Sequence, residues 1–95
     1  METKAVMETI YKYPVDVRMQ LDLPADAQPL TVQLQQGQPQ LWVRLNPLAA
    51  TIRRTFRVFG TGHPLEGAGH LTYIATFQLD NGGLVFHVFE DQAVP

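Results

Sequence analysis

The chain contains no cysteine and no serine. The first absence excludes disulfides and thiolate zinc sites. Together they leave nucleophilic catalysis by a small hydroxyl or thiol to an activated threonine beside a base. No run approaches the roughly 18 apolar residues of a membrane-spanning helix. The N-terminal Met1-Glu2-Thr3-Lys4-Ala5-Val6 has no apolar signal-peptide core. Charge is sparse at 17% of residues, which leaves neutral surface for a contact face. A net charge of −2 lacks the basic footprint of a duplex-nucleic-acid binder. Paired carboxylates of the glycosidase kind are not evident. A small fold without disulfide staples suits an intracellular setting.

What is present fits one domain. The 95 residues carry a hydrophobic share of 45%, enough for one modest core. The tripeptide Met1-Glu2-Thr3 recurs as Met7-Glu8-Thr9. Residues 1–6 are therefore expected to be a loose extension, residues 7–91 a single β domain, and residues 92–95 a frayed tail.

Alternation with period two dominates the chain, the mark of strands with one buried face. Val15, Val17, Met19, Leu21 and Leu23 alternate with polar residues up to Pro24. Residues 9–13 read as an earlier strand ending at Pro14, and residues 30–35 and 41–45 as a hairpin around Gln36-Gly37-Gln38-Pro39. Residues 55–59 read as a fifth strand, and residues 48–54 have room for one helical turn. Residues 71–79 and 84–89 flank Asp80-Asn81-Gly82-Gly83, where Asn-Gly suits the left-handed dihedrals of a tight turn. The expectation is an all-β fold. About seven mostly antiparallel strands would form a small sandwich or barrel-like fold with little helix.

Parity sorts the later strands into two sets. Leu41, Val43, Leu45, Phe56, Val58, Tyr73, Ala75, Phe77, Leu84, Phe86 and Val88 are almost wholly apolar and are predicted to face the core. The other set includes Trp42, Arg44, Thr55, Arg57, Phe59, Ile74, Thr76, His87 and Phe89. It mixes aromatic, basic and hydroxyl groups, unlike a simple solvent face. It reads as a second core layer, a homo-oligomer interface or a ligand groove.

Gly60-Thr61-Gly62-His63-Pro64 forms a polar, glycine-rich corner between two strand-like runs. Such a corner can aim amides, a hydroxyl and an imidazole at one point. It lacks the lysine and following helix of a phosphate-binding Walker loop. His63, His70 and His87 match no zinc-ligand spacing, so no metal or cofactor is expected. Arg44, Arg53, Arg54 and Arg57 offer forked donors for phosphate oxygens. Trp42 or Phe59 can stack on a planar base. Thr61, His63 and His87 can add hydrogen bonds, as can the corner amides. An acid–base pair of Glu66 and His63 makes a nucleotide hydrolase a weaker reading.

Several stretches resemble a family of small proteins of unknown function found often in bacteriophage genomes. They are Thr9-Ile10-Tyr11-Lys12-Tyr13, Leu41-Trp42, Phe56-Arg57-Val58-Phe59-Gly60-Thr61-Gly62-His63-Pro64, Leu71-Thr72-Tyr73-Ile74-Ala75-Thr76-Phe77-Gln78 and Val85-Phe86-His87-Val88-Phe89-Glu90. Phe86 departs from the tryptophan common at that position. The resemblance implies, by analogy with phage sponges for immune signals, a non-enzymatic homo-oligomer in the cytoplasm of an infected bacterium. Its partner would be a small anionic nucleotide-like ligand, a cyclic nucleotide or ADP-ribose derivative, with no duplex nucleic acid and no membrane. An accessory module that binds a host protein through the same face is the alternative.

Overall fold

A computed structural model describes residues 7–92, and the expectations for residues 1–6 and 93–95 lie outside them. The described residues form seven strands: β1 (Thr9–Pro14), β2 (Arg18–Pro24), β3 (Gln28–Gln35), β4 (Gln38–Leu45), β5 (Thr51–Gly60), β6 (Leu71–Leu79) and β7 (Leu84–Asp91). They make a three-stranded sheet in the order β1-β4-β3 and a four-stranded sheet in the order β2-β5-β7-β6. Every pairing is antiparallel. The fold is all-β, as alternation implies.

The chain passes between sheets at residues 15–17, 25–27 and 46–50. The first crossing is tied to both: Val15 N–H donates to Pro39 O (3.0 Å), and Val58 N–H donates to Val17 O (2.9 Å). The core between the sheets holds Met19 and Leu23 of β2, Val32 of β3, Leu41, Val43 and Leu45 of β4, Phe56 of β5, Ala75 and Phe77 of β6, and Val88 of β7. Each large member stabilises the fold by about 1.5–3 kcal/mol.

Both hairpin connections use left-handed backbone. Gln36 (φ 52°) and Gly37 (φ 79°) link the paired Gln35 and Gln38, a two-residue hairpin of the primed kind. The Asn81-Gly82 link also takes positive φ, but within a four-residue connection that closes at Leu79 and Leu84. The anticipated helical turn in residues 48–54 is not formed. Residues 46–49 make a turn in which Asn46 Oδ1 accepts from Leu48 N–H (2.9 Å), and Thr51 already begins β5. The backbone from Thr51 to Arg54 instead pairs with β2, where β-branched Thr51 and Ile52 sit well.

A second correction concerns β6. Tyr73 pairs with Phe89 and Ala75 with Val88, so Ile74 is the extra residue of a β-bulge. The bulge resets parity: Tyr73 stands on the outer face, while Ile74 packs against the core. Leu84, also assigned to the core by parity, is exposed at the hairpin end.

Candidate functional site

β5 delivers its last residue, Gly60, into a tight turn. His63 N–H donates to Gly60 O (3.1 Å), and Gly62 takes φ +87°. Positive φ at the third residue is the geometry of a type II turn, which glycine adopts without steric cost. Gly60 matters for a different reason: a Cβ there would lie 3.0 Å from His63 Cε1 and Nδ1. The imidazole therefore rests against bare backbone. Thr61 N–H donates to Val85 O (3.1 Å), which docks the corner on β7.

A string of side-chain hydrogen bonds crosses the outer face of the four-stranded sheet from this corner. Thr61 Oγ1 lies 2.7 Å from His87 Nε2. His87 Nδ1 lies 2.9 Å from Thr76 Oγ1. Thr76 Oγ1 lies 2.7 Å from the Tyr73 hydroxyl. The Thr61 hydroxyl also lies 3.4 Å from Val85 O. Both nitrogens of His87 are thus engaged. His63, by contrast, makes no side-chain hydrogen bond among the described residues. A shallow cavity of about 280 Å3 opens here, lined by Thr61, His63, Leu65, His87 and Phe89 with the corner glycines.

Beside the cavity lies an aromatic and cationic group. Phe59 and Phe89 meet edge to face (5.8 Å between centroids), as do Tyr73 and Phe89 (5.6 Å). The Arg57 guanidinium stacks over Phe59 at 4.7 Å. It also donates to Glu66 O (2.9 Å), pinning the loop after the corner, and faces Asp91 at 3.6 Å. Arg18 of β2 pairs across from Arg57. Arg18 alternates with buried Met19, so it shares the outer face, and it makes no hydrogen bond or ion pair among the described residues.

Five of the anticipated site residues therefore converge: Arg57, Phe59, Thr61, His63 and His87. Four do not. Trp42 and Arg44 project from β4 on the outer face of the other sheet, where Lys12 lies over the Trp42 ring (5.9 Å) and Glu8 pairs with Arg44 (2.7 Å). Arg53 shares the face of Arg57 but sits near the far end of β5, paired across from Asp22 (3.4 Å). Seven residues from Gly60, it is roughly 20 Å from the corner. Arg54 turns to the core side. Its guanidinium forms a two-pronged pair with buried Glu90 (2.6 and 2.7 Å) and donates to Pro24 O and Ala27 O.

Of the corner amides expected to donate to phosphate, Thr61 N–H is committed to Val85 O, while Gly62 N–H makes no hydrogen bond among the described residues; the next amide, His63 N–H, donates to Gly60 O. Arg18 and Tyr73 were missed. The alternation of β2 already placed Arg18 outward, but the bulge that turned Tyr73 outward left no mark in parity. A larger open groove, about 660 Å3, lies by β3 and β6 and brings together neither imidazoles nor arginines. Among the described residues, no group of three or more His, Asp or Glu is placed to hold a metal ion. No helix among them is long and apolar enough to cross a membrane.

Comparison with known proteins agrees with the motif resemblance to a family of unknown function. The match covers residues 7–95, while no curated protein and no solved structure matches the chain. The chain belongs to the family described as a domain of unknown function, DUF7352.

Proposed function

We propose that this protein is a non-enzymatic binder that captures a nucleotide-type anion, a cyclic nucleotide or ADP-ribose derivative, on the outer face of its four-stranded sheet. In this reading it serves a phage in the cytoplasm of an infected bacterium by sequestering an immune signal. The observation that carries the binding role is one row across the sheet: Arg18, Arg57, Phe89 and Tyr73, each paired with the next. Two guanidiniums lead into two aromatic rings. Adjacent strands are about 4.7–4.9 Å apart, so the row spans about 14 Å from Arg18 to Tyr73, with Arg57 directly beside Phe89. That suits a ligand with phosphate at one end and a planar base at the other. His87, held at both nitrogens, supports positioning more than proton transfer.

In a homo-oligomer, Trp42 and Arg44 join this site only where a second copy lays its three-stranded sheet against the face. Calorimetric titration with cyclic nucleotides and ADP-ribose tests the proposal. It predicts heat of binding and chemically intact ligand on recovery. No heat with any of them, or altered ligand, removes it.

A second reading, docking to a host protein, draws support from the exposed Tyr73 ring beside Phe89 and Arg57, residue types enriched where proteins meet. A stoichiometric partner captured from host lysate, with no small-molecule binding, would favour it.

A further inference from the structure

The hydrogen-bond string on the outer face has a direction, and the direction says what the glycine corner can accept. One end is Val85 O, which can only accept; the other is the Tyr73 hydroxyl, which can do either. If Thr61 donated to His87 Nε2, the Thr61 oxygen would face the Val85 carbonyl with no proton between them. Running the other way, every proton is used. Tyr73 O–H donates to Thr76, Thr76 O–H donates to His87 Nδ1, His87 Nε2–H donates to Thr61, and Thr61 O–H donates to Val85 O.

We propose that Tyr73 and Thr76 are positioning residues that hold His87 as the Nε2–H tautomer and so make the Thr61 oxygen a hydrogen-bond acceptor toward the cavity. The ligand group that meets the Thr61 oxygen is then a donor, a sugar hydroxyl or an amino group, and not a bare phosphate oxygen. Two further observations agree. The Thr61 and His63 amides are already spent on Val85 O and Gly60 O. The guanidiniums that suit phosphate, Arg18 and Arg57, lie along the sheet from the corner and do not line its cavity. The assignment of ligand polarity rests on the binding function proposed above; the tautomer does not.

Nitrogen-15 NMR of the unliganded protein, using long-range correlations to the ring protons with His87 neutral, tests the tautomer. The expected pattern is a protonated Nε2 and a bare Nδ1 that accepts a hydrogen bond. In Thr76→Val, Nδ1 keeps no proton but loses the shift caused by that bond, while the backbone spectrum remains that of the folded protein. Tyr73→Phe moves the same signal in the same direction by less. A protonated Nδ1 in the parent protein, or an unchanged His87 pattern in Thr76→Val, overturns the inference.

Ligand polarity is tested with ADP-ribose and with inorganic phosphate. ADP-ribose is expected to shift the Thr61 and His87 signals, with affinity about tenfold lower in Thr76→Val. Phosphate is expected to leave those two residues unmoved. If phosphate moves them as ADP-ribose does, the corner is an anion cradle and the inference fails while the proposed function survives. If neither probe binds, the proposed function fails and takes the ligand polarity with it, leaving the tautomer to the unliganded spectrum.

Discussion

Gly60 and Gly62 occupy one corner but resist substitution for different reasons. Gly62 has φ +87°, so Gly62→Ala imposes left-handed backbone on a side chain at a cost of about 1–2 kcal/mol. Gly60→Ala leaves the backbone unstrained and drives its new methyl into the His63 ring, 3.0 Å away. The first variant is expected to lower the urea midpoint; the second is expected to displace the His63 ring signals with a smaller change in stability. Tyr13 supplies an alkaline test. It packs against the core, and burial, followed by the neighbouring Tyr11 charge, raises its hydroxyl above the ordinary tyrosine value of 10.0. The unfolded chain therefore loses this proton first as pH rises. Its contribution is fully present below about pH 10 and falls between that value and the higher folded one. Melting at pH 9 to 11 should show a decline that Tyr13→Phe reduces.

At the scale of strands, alternation is a reliable guide to inside and outside because each sheet has one buried face. It is blind to two things. It cannot register an inserted residue that only the partner strand reveals, so Tyr73 and Ile74 exchanged roles at the bulge of β6. Nor does it say which outside a residue occupies. Trp42 and His87 both point away from the core, yet from different sheets. The apolar interior was legible in the residues, whereas the convergence of Thr61, Thr76 and His87 depended on β7 pairing with β6. Ile74→Ala is expected to destabilise the fold by about 2 kcal/mol, the lower end for an aliphatic truncation because the site is half buried. Tyr73→Ala should change stability far less, and matching losses in denaturant titrations would put the bulge elsewhere. Arg54 shows the same limit of sequence reading. Among the arginines it looked like a phosphate ligand, but its pairing with Glu90 makes it a fastener of β5 to β7 and to the residue 25–27 crossing. Arg54→Ala strands a buried carboxylate and should cost about 3–5 kcal/mol, with Glu90→Gln in the same background recovering part of it.

For the whole molecule, two outer faces belong to different sheets and can be damaged separately. Trp42→Ala should leave ADP-ribose affinity unchanged in a monomer, while Arg57→Ala should reduce it at least tenfold. Calorimetry below and above the concentration of any self-association, read beside sedimentation, separates a face that acts alone from one completed by a neighbour. An effect of Trp42→Ala confined to the associated form would assign the indole to the contact between copies. The order β2-β5-β7-β6 carries one more consequence. The last of the seven described strands, β7, is an interior one, flanked by β5 and β6, and it carries His87, Val88 and Glu90. During translation the larger sheet must wait with a gap in its middle, and neither the interior nor the corner is complete until residues 84–91 have left the ribosome. Capture of any ligand consequently requires β7, and a chain truncated before Leu84 should bind nothing at this face.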